Sequence, residues 1–163
     1  MSKRIYYIVT LILLITSCEK EEEYSSIPEI KYKSFTIEKE VQNGFENTVG
    51  RLSFSFTDGD GDIGNKTNTD LPSDTLSEEA YNTFISRFYK VNNQFLHDTI
   101  ITYIIPYMEG GVYREHLKGE IEIKLYFLEF KHDTLKLDFY ITDRAKHKSN
   151  IESTPEIIVS DYI

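Results

Sequence analysis

Apolar and polar residues alternate with a period of two along three stretches of the chain: RLSFSFT at 51–57, EIEIKLYF at 120–127 and TLKLDFYIT at 134–142. This period is typical of a β-strand with one face toward a core and the other toward water. The pattern therefore predicts three half-buried strands. Their apolar positions form the predicted core: Leu52, Phe54, Phe56, Ile121, Ile123, Leu125, Leu137, Phe139 and Ile141.

Further strands are predicted at 29–38, 99–105 and 156–160. The stretch 78–97 has two readings, because Tyr81, Phe84, Ile85 and Phe88 have helical spacing. Its dense β-branched and aromatic residues favour a hairpin across Asn92-Asn93 instead. About seven short strands separated by turns predict an all-β, antiparallel sandwich over residues 28–163.

The first seventeen residues have the pattern of a secretory signal peptide. Lys3 and Arg4 precede an apolar run from 5 to 15, and small residues follow it. The run is shorter than the roughly 20 apolar residues that a membrane-spanning helix needs. We therefore expect residues 1–17 to be removed, with an uncleaved anchor helix as the alternative.

Ile15-Thr16-Ser17-Cys18 resembles the lipobox of bacterial lipoproteins. The resemblance implies that the chain is cut before Cys18 and that Cys18 carries covalent lipid. Cys18 is the single cysteine of the chain, whereas disulfides in a secreted scaffold need cysteines in pairs. Several acyl chains on one residue would anchor the protein stably in the outer membrane.

Residues 18–27 form a predicted acidic tether. The run Glu-Lys-Glu-Glu-Glu at 19–23 resembles the acidic signal that sends some Gram-negative lipoproteins to the cell surface. A charge run of this kind also favours a solvated, flexible tether, and both readings can hold together. Display on the periplasmic face of the outer membrane is the alternative location. We expect the protein to face the cell exterior.

Charge excludes one class of partner. Cleavage would remove Lys3 and Arg4 and no acidic residue, so the formal net charge would move from −9 to −11. Nucleic-acid binding needs clustered Lys and Arg, which such a domain lacks. Anionic lipid head groups would repel the domain, so the lipid would have to hold it at the membrane.

The stretch Asp58-Gly-Asp60-Gly-Asp62-Ile-Gly64, here called the aspartate loop, places carboxylates at alternate positions. Calcium loops carry carboxylates at positions 1, 3 and 5, which correspond to Asp58, Asp60 and Asp62. Position 6 is Ile63 and position 12 is Thr69, so the loop is not an EF-hand. The sequence predicts a calcium site that takes further ligands from elsewhere; the alternative is an acidic turn neutralised by Arg144 or Lys66.

The segment 140–157 resembles the last hairpin of immunoglobulin-like domains in bacterial surface proteins, through Asp143-Arg144-Ala145 and Ser149-Asn150. With the aspartate loop, it makes the mature chain resemble uncharacterised single-domain surface lipoproteins. The resemblance implies an immunoglobulin-like sandwich and brings no activity with it. In such a sandwich this turn and the aspartate loop share one end, so Asp143 is a candidate calcium ligand, and Asn150 could also be brought toward the loop.

No catalytic motif is present: the chain has no Gly-x-Ser-x-Gly elbow, no His-Glu-x-x-His and no phosphate-binding glycine loop. We therefore expect a non-enzymatic surface module that binds a protein or a glycan. One alternative is an accessory subunit of an envelope uptake or secretion complex, and a hydrolase is a third possibility.

Three Asp-Thr-aliphatic triplets, at Thr75, Thr99 and Thr134, resemble the O-glycan acceptor motif of some exported bacterial proteins. The same triplet is also an ordinary way for a chain to enter a strand from a turn, and both readings stay open.

Overall fold

The computed structural model describes residues 24–42, 44–65, 80–108, 116–127, 130 and 132–162. Within these residues there is no α-helix, and hence no helix that could cross a membrane. The strands are β1 (Glu29–Gln42), β2 (Phe45–Asp58), β3 (Thr83–Val91), β4 (Gln94–Tyr103), β5 (Leu117–Phe127), β6 (Thr134–Ile141), β7 (Glu152–Ser153) and β8 (Ile157–Ile158). The all-β prediction is confirmed.

The described strands form two antiparallel sheets. One has the order β1-β2-β5, and the other has the order β4-β3-β6-β7, with β8 also paired to β6. The sheets pack face to face, and the rings of Phe54 and Phe139 meet across the interface with centroids 5.2 Å apart. The molecule is therefore a β-sandwich.

A hairpin, not a helix, occupies the ambiguous stretch. β3 and β4 pair from Val91↔Gln94 onward, and Asn92 and Asn93 between them have φ of 48° and 63°. Two consecutive positive φ angles are the requirement of a type I′ turn, which asparagine tolerates. The hairpin reading of this stretch is confirmed.

The buried core draws on both sheets, as the alternation predicted. Leu52, Phe54, Leu137, Phe139 and Ile141 are fully buried. Ile121 is only partly buried, although it packs against the core. The last predicted strand, 156–160, is shorter than expected: after β8 the chain turns into a short 3₁₀ helix, Val159–Asp161, whose first N–H bonds to the carbonyl of Asp133 at 2.6 Å.

Strand direction sorts the connections between the two ends of the sandwich. The chain entering β1, the last residues of β2, β4 and β6 and the first residues of β3 and β5 lie at one end, here called the N-terminal end. The β1–β2 and β3–β4 hairpins lie at the other. The aspartate loop is therefore at the end where the chain enters from residue 24.

Candidate metal centre

Asp58 is the last residue of β2 and continues the inward face of that strand. Leu52, Phe54 and Phe56 point into the core, and the same period of two carries the Asp58 side chain inward. Asp58 is 0% exposed. A carboxylate in this position loses its hydration, so it needs partners or a cation.

Asp58, Asp60 and Asp62 converge. Each offers a carboxylate oxygen, and the three oxygens lie within 4.8 Å of one another, with Asp58 buried, Asp60 exposed and Asp62 between these extremes. Gly61, between the last two, has φ of 69°, a left-handed conformation that glycine adopts without strain. The three aspartates predicted from the sequence as metal ligands are thus brought together.

In two of these carboxylates, only one of the two oxygens accepts a hydrogen bond. Oδ2 of Asp58 accepts a hydrogen bond from the Asp62 N–H at 2.7 Å, and Oδ2 of Asp62 accepts one from the Ala145 N–H at 3.1 Å. Oδ1 of Asp58 and Oδ1 of Asp62 are buried and have no hydrogen-bond donor. Buried acceptors without partners are rare, and a bound ion is one explanation for them.

Burial and neighbouring carboxylates raise the pKa values of Asp58 and Asp62. Burial is the largest cause that raises the pKa of Asp58 to about 6; the Asp60 and Asp62 carboxylates add to it, and the backbone N–H groups of Asp62 and Ile63 oppose it. The pKa of Asp62 is also raised, by burial first and then by the charges of Asp143 and Asp60. A cation placed among these groups would reverse the shifts.

Arg144 donates hydrogen bonds to three backbone carbonyls of the aspartate loop. Its backbone N–H donates to the Asp62 carbonyl at 3.2 Å, and its guanidinium Nη1 donates to the carbonyls of Ile63 and Gly64 at 3.3 and 3.1 Å. The guanidinium also lies over the Tyr107 ring, 5.0 Å from its centroid. Arg144 therefore braces the backbone of the loop, while its charge lowers the pKa of Asp62.

Asp143 is near enough to Asp62 for its charge to raise the pKa of that residue, but it is not one of the three converging carboxylates. It is 1% exposed. Its Oδ1 accepts from the His147 N–H at 2.7 Å, and its Oδ2 lies 2.9 Å from His147 Nδ1. These contacts close the turn after β6, in which Lys146 has φ of 70°.

The side-chain amide of Asn150 bonds to both backbone groups of Ile30 in β1, whose register partner Phe56 is two residues before Asp58. Asn150 therefore lies on the side of β1 and is not one of the three converging ligands.

The chain before β1 is fastened to the aspartate loop. The Gly59 N–H donates to the Ser25 carbonyl at 2.7 Å. A Cβ added at Gly59 would overlap the carbonyl oxygen of Tyr24. The Tyr24 ring contacts the His116 ring, and the Tyr24 hydroxyl accepts a hydrogen bond from Lys118 Nζ at 3.1 Å. Residues assigned to the tether from the sequence therefore contact the folded domain.

Hard oxygen ligands of this kind suit calcium. Calcium takes six to eight oxygens in flexible geometry, and carboxylates, backbone carbonyls and waters all serve. Asp58, Asp60 and Asp62 would supply the charged ligands, and the exposed side at Asp60 admits water.

Sequence reasoning found the three aspartates but missed two supports of the loop. One is the carbonyl of Ser25 on Gly59, and the other is the His147 side chain on Asp143. Neither leaves a signal in the sequence, because each joins segments that meet only in the folded chain. The inward position of Asp58 did leave a signal, since it continues the alternation of β2.

The sequence also predicts covalent lipid at Cys18 and has candidate O-glycan sites at Thr75, Thr99 and Thr134. Cys18 and Thr75 lie outside the described residues. Thr99 is within β4 and Thr134 is the first residue of β6. Their aspartates have structural contacts: Asp98 pairs with Arg87 at 2.6 Å, and Asp133 accepts from the Ser160 N–H at 2.9 Å.

Comparisons of the chain with protein-family models, with curated proteins and with solved structures found no match.

Proposed function

We propose that this protein is a lipid-anchored, calcium-stabilised binding module displayed on the outer membrane, and that it is not an enzyme. One observation carries the calcium part of the proposal: the buried Oδ1 atoms of Asp58 and Asp62 have no donor and lie in a group of converging carboxylates. A cation would satisfy both oxygens and offset the mutual repulsion of three carboxylates.

Calcium would join three segments at the N-terminal end. The aspartate loop is bonded to Ser25 before β1 through Gly59, and to the turn after β6 through Asp62. Ion binding to the loop would therefore stabilise contacts between the first and the last parts of the domain. The expected affinity is that of extracellular calcium modules, about 0.1–1 mM.

Thermal melting during a calcium titration tests this part of the proposal. A ligand that binds only the folded state raises the midpoint as its concentration increases. We expect such a rise over the millimolar range in the wild-type protein and its loss in Asp60→Ala, which removes an exposed ligand. Magnesium at equal concentration is the control for ionic strength. No shift at several millimolar calcium, or an equal shift in the variant, would contradict a calcium site.

The anchor part rests on the lipobox and the single cysteine, which agree with each other. Mass spectrometry of membrane-extracted protein would show a chain that begins at Cys18 and carries acyl chains. A free Cys18 thiol or an intact Met1 would reject the anchor without affecting the calcium site. Protease accessibility on intact cells would then distinguish display on the exterior from display on the periplasmic side.

The strand order supports an immunoglobulin-like classification of the sandwich. The first, second and fifth strands form one sheet, while the third, fourth, sixth and seventh form the other. Both sheets are antiparallel, and the chain crosses between them after β2, β4 and β5, as in Greek-key sandwiches. Such folds host many functions, so the binding role rests on the surfaces of this chain.

A further inference from the structure

The outward faces of the two sheets differ in chemistry. On the three-stranded sheet, Arg51 bonds to both Glu38 and Glu122, and Lys124 pairs with Glu40 at 3.0 Å. This charge-paired surface is what a water-facing antiparallel sheet is expected to show.

On the five-stranded sheet, four of the outward positions carry aromatic rings. Phe84 and Phe88 of β3, Phe95 of β4 and Tyr140 of β6 form what is here called the aromatic face. None of the four belongs to the core cluster, and each is partly exposed. Ile100 of β4 adds an aliphatic side chain that is 56% exposed.

The aromatic face has two clusters. Phe84 and Tyr140 are a cross-strand pair whose rings stack with centroids 4.9 Å apart. In the second cluster, Phe88 packs on His97 of β4, and Lys136 Nζ lies 6.0 Å from the ring centroids of both Phe88 and Phe95. Because Phe84 and Phe88 are four residues apart on one strand, about 13 Å separates the clusters.

Polar groups lie between the two clusters. Ser86 of β3 is the register partner of Asp138 of β6. Asp138 accepts a hydrogen bond from Ser153 Oγ at 2.6 Å and pairs with Lys136 at 3.0 Å. The middle of the face thus offers hydroxyl, carboxylate and ammonium groups, which are suitable partners for hydroxyl groups of a ligand.

The charges of this face are largely compensated. Lys136 pairs with Asp138, and Lys90 pairs with Glu156 at 2.7 Å. Lys148 Nζ lies over Tyr140, 3.8 Å from the ring centroid. A polyanion such as single-stranded nucleic acid needs a basic stripe that this acidic chain does not offer. The charge pattern instead complements a neutral ligand rich in hydroxyl groups.

We propose that the aromatic face binds a neutral glycan that spans both clusters. The C–H groups on one side of a pyranose ring carry partial positive charge and would pack against the exposed ring surfaces of Phe84 and Phe88. Tyr140 has Phe84 stacked on its ring and Lys148 over it, so it would contribute its hydroxyl rather than a ring face. The hydroxyls of the glycan would bond to Ser86 and Asp138 between the clusters. The proposal names the ligand class of the binding module proposed above, but it needs neither calcium nor the lipid anchor.

Retention of the full-length protein, in detergent, on immobilised polysaccharides tests the proposal. The probes are a glucan, a mannan and a galactan, compared with a polyuronate and single-stranded DNA. We expect retention by at least one neutral polysaccharide, with little change between 0.1 and 0.5 M NaCl, since no ion pair with the ligand is involved. Phe88→Ala should weaken retention roughly tenfold, the upper range for one aromatic contact. Phe88→Tyr, which keeps the ring, should preserve retention.

Tyr126→Ala is the matched control, because Tyr126 is an aromatic residue that is 54% exposed on the outward face of β5, in the other sheet. It should leave retention unchanged, and all variants should melt within a few degrees of the wild type. Three results would overturn the proposal: no retention on any neutral polysaccharide, salt-sensitive retention on the polyuronate or DNA alone, or an equal loss in Tyr126→Ala. A failed calcium titration would leave this test unaffected.

Discussion

The side-chain amide of Asn150 pairs with the backbone of Ile30 as a strand residue would. Oδ1 of Asn150 accepts from the Ile30 N–H at 2.8 Å, and its Nδ2 donates to the Ile30 carbonyl at 2.9 Å. Asn82 makes the same pair with Ile105, at 2.7 and 3.1 Å. Asn150 thus satisfies backbone groups on the free edge of β1, and Asn82 satisfies those of Ile105 beyond the end of β4.

Removing the Asn150 amide should therefore destabilise the fold. Ile30 is 2% exposed, so Asn150→Ala would leave buried backbone groups without partners and should cost about 2–3 kcal/mol. Chemical denaturation would measure the loss. Asn47→Ala is the control, because Asn47 makes one exposed bond to the Phe45 carbonyl and should change stability by less than about 0.5 kcal/mol. Equal effects would show that the amide is not a structural partner of β1.

The buried Asp58 should make stability in calcium-free buffer fall as pH rises. Its pKa is raised from 3.8 to about 6 on folding, so the folded state binds the proton more tightly, and that stabilisation is lost between about pH 4 and pH 6. Asp58→Asn cannot ionise and should become more stable than the wild type by about 2–3 kcal/mol at pH 7, with little difference at pH 3.5. Unfolding with chelator across this range measures the difference. A constant difference would show that Asp58 does not titrate in this window.

In the wild type, bound calcium should offset the loss of stability that accompanies ionisation of Asp58. In Asp58→Asn there is no such loss to offset. The ion favours the ionised carboxylate, so binding should strengthen as pH rises through 6. In Asp58→Asn, millimolar calcium should raise the melting midpoint less than in the wild type, or not at all. A calcium response of unchanged size in Asp58→Asn would exclude Asp58 as a ligand.

Gly59→Ala should release the chain before β1 from the aspartate loop. The new Cβ would overlap the Tyr24 carbonyl, so the bond from Gly59 N–H to Ser25 should break. Hydrogen exchange at Gly59 should become faster, and proteolysis around residues 24–28 should increase. Gly44→Ala is a control for glycine replacement at the opposite end of the sandwich. A Cβ there meets no atom within 4 Å, but its φ of +83° strains alanine, so this variant should lose some stability while the Gly59 contact is kept. Unchanged exchange at Gly59 would mean that the contact is not maintained in solution.

Phe54 and Phe139 should prove energetically coupled across the sandwich. Both are fully buried, so each substitution by Ala should cost about 3–5 kcal/mol. The double variant should lose less than the sum by about 0.5–1.5 kcal/mol, because the ring pair is removed only once. Phe45→Ala, at a position that is 74% exposed, should change stability little. Additive losses would mean that the two rings do not interact directly.

Local pattern determined much of this molecule. Successive side chains of a strand point to opposite faces, so the period of two in β2, β5 and β6 predicts which residues face the core. The same rule places the Asp58 side chain inward, whatever strands lie beside β2. Asn92-Asn93 likewise specified its hairpin, because only a few residue types adopt the positive φ angles of that turn. The convergence of the three aspartates is also local, because they are two residues apart in the chain and the glycines between them let the backbone turn.

Contacts between distant segments were decided only by the tertiary structure. The pairing of Asn150 with Ile30, 120 residues away along the chain, has no counterpart in the sequence pattern. Ser25 on Gly59 and His147 on Asp143 likewise depend on which loops meet at one end of the sandwich. Aromatic rings on the outward face of β3 follow from strand register, since a one-residue slip would exchange them with the core. Such pairings depend on packing and hydrogen-bond satisfaction over the whole fold, which no local spacing encodes.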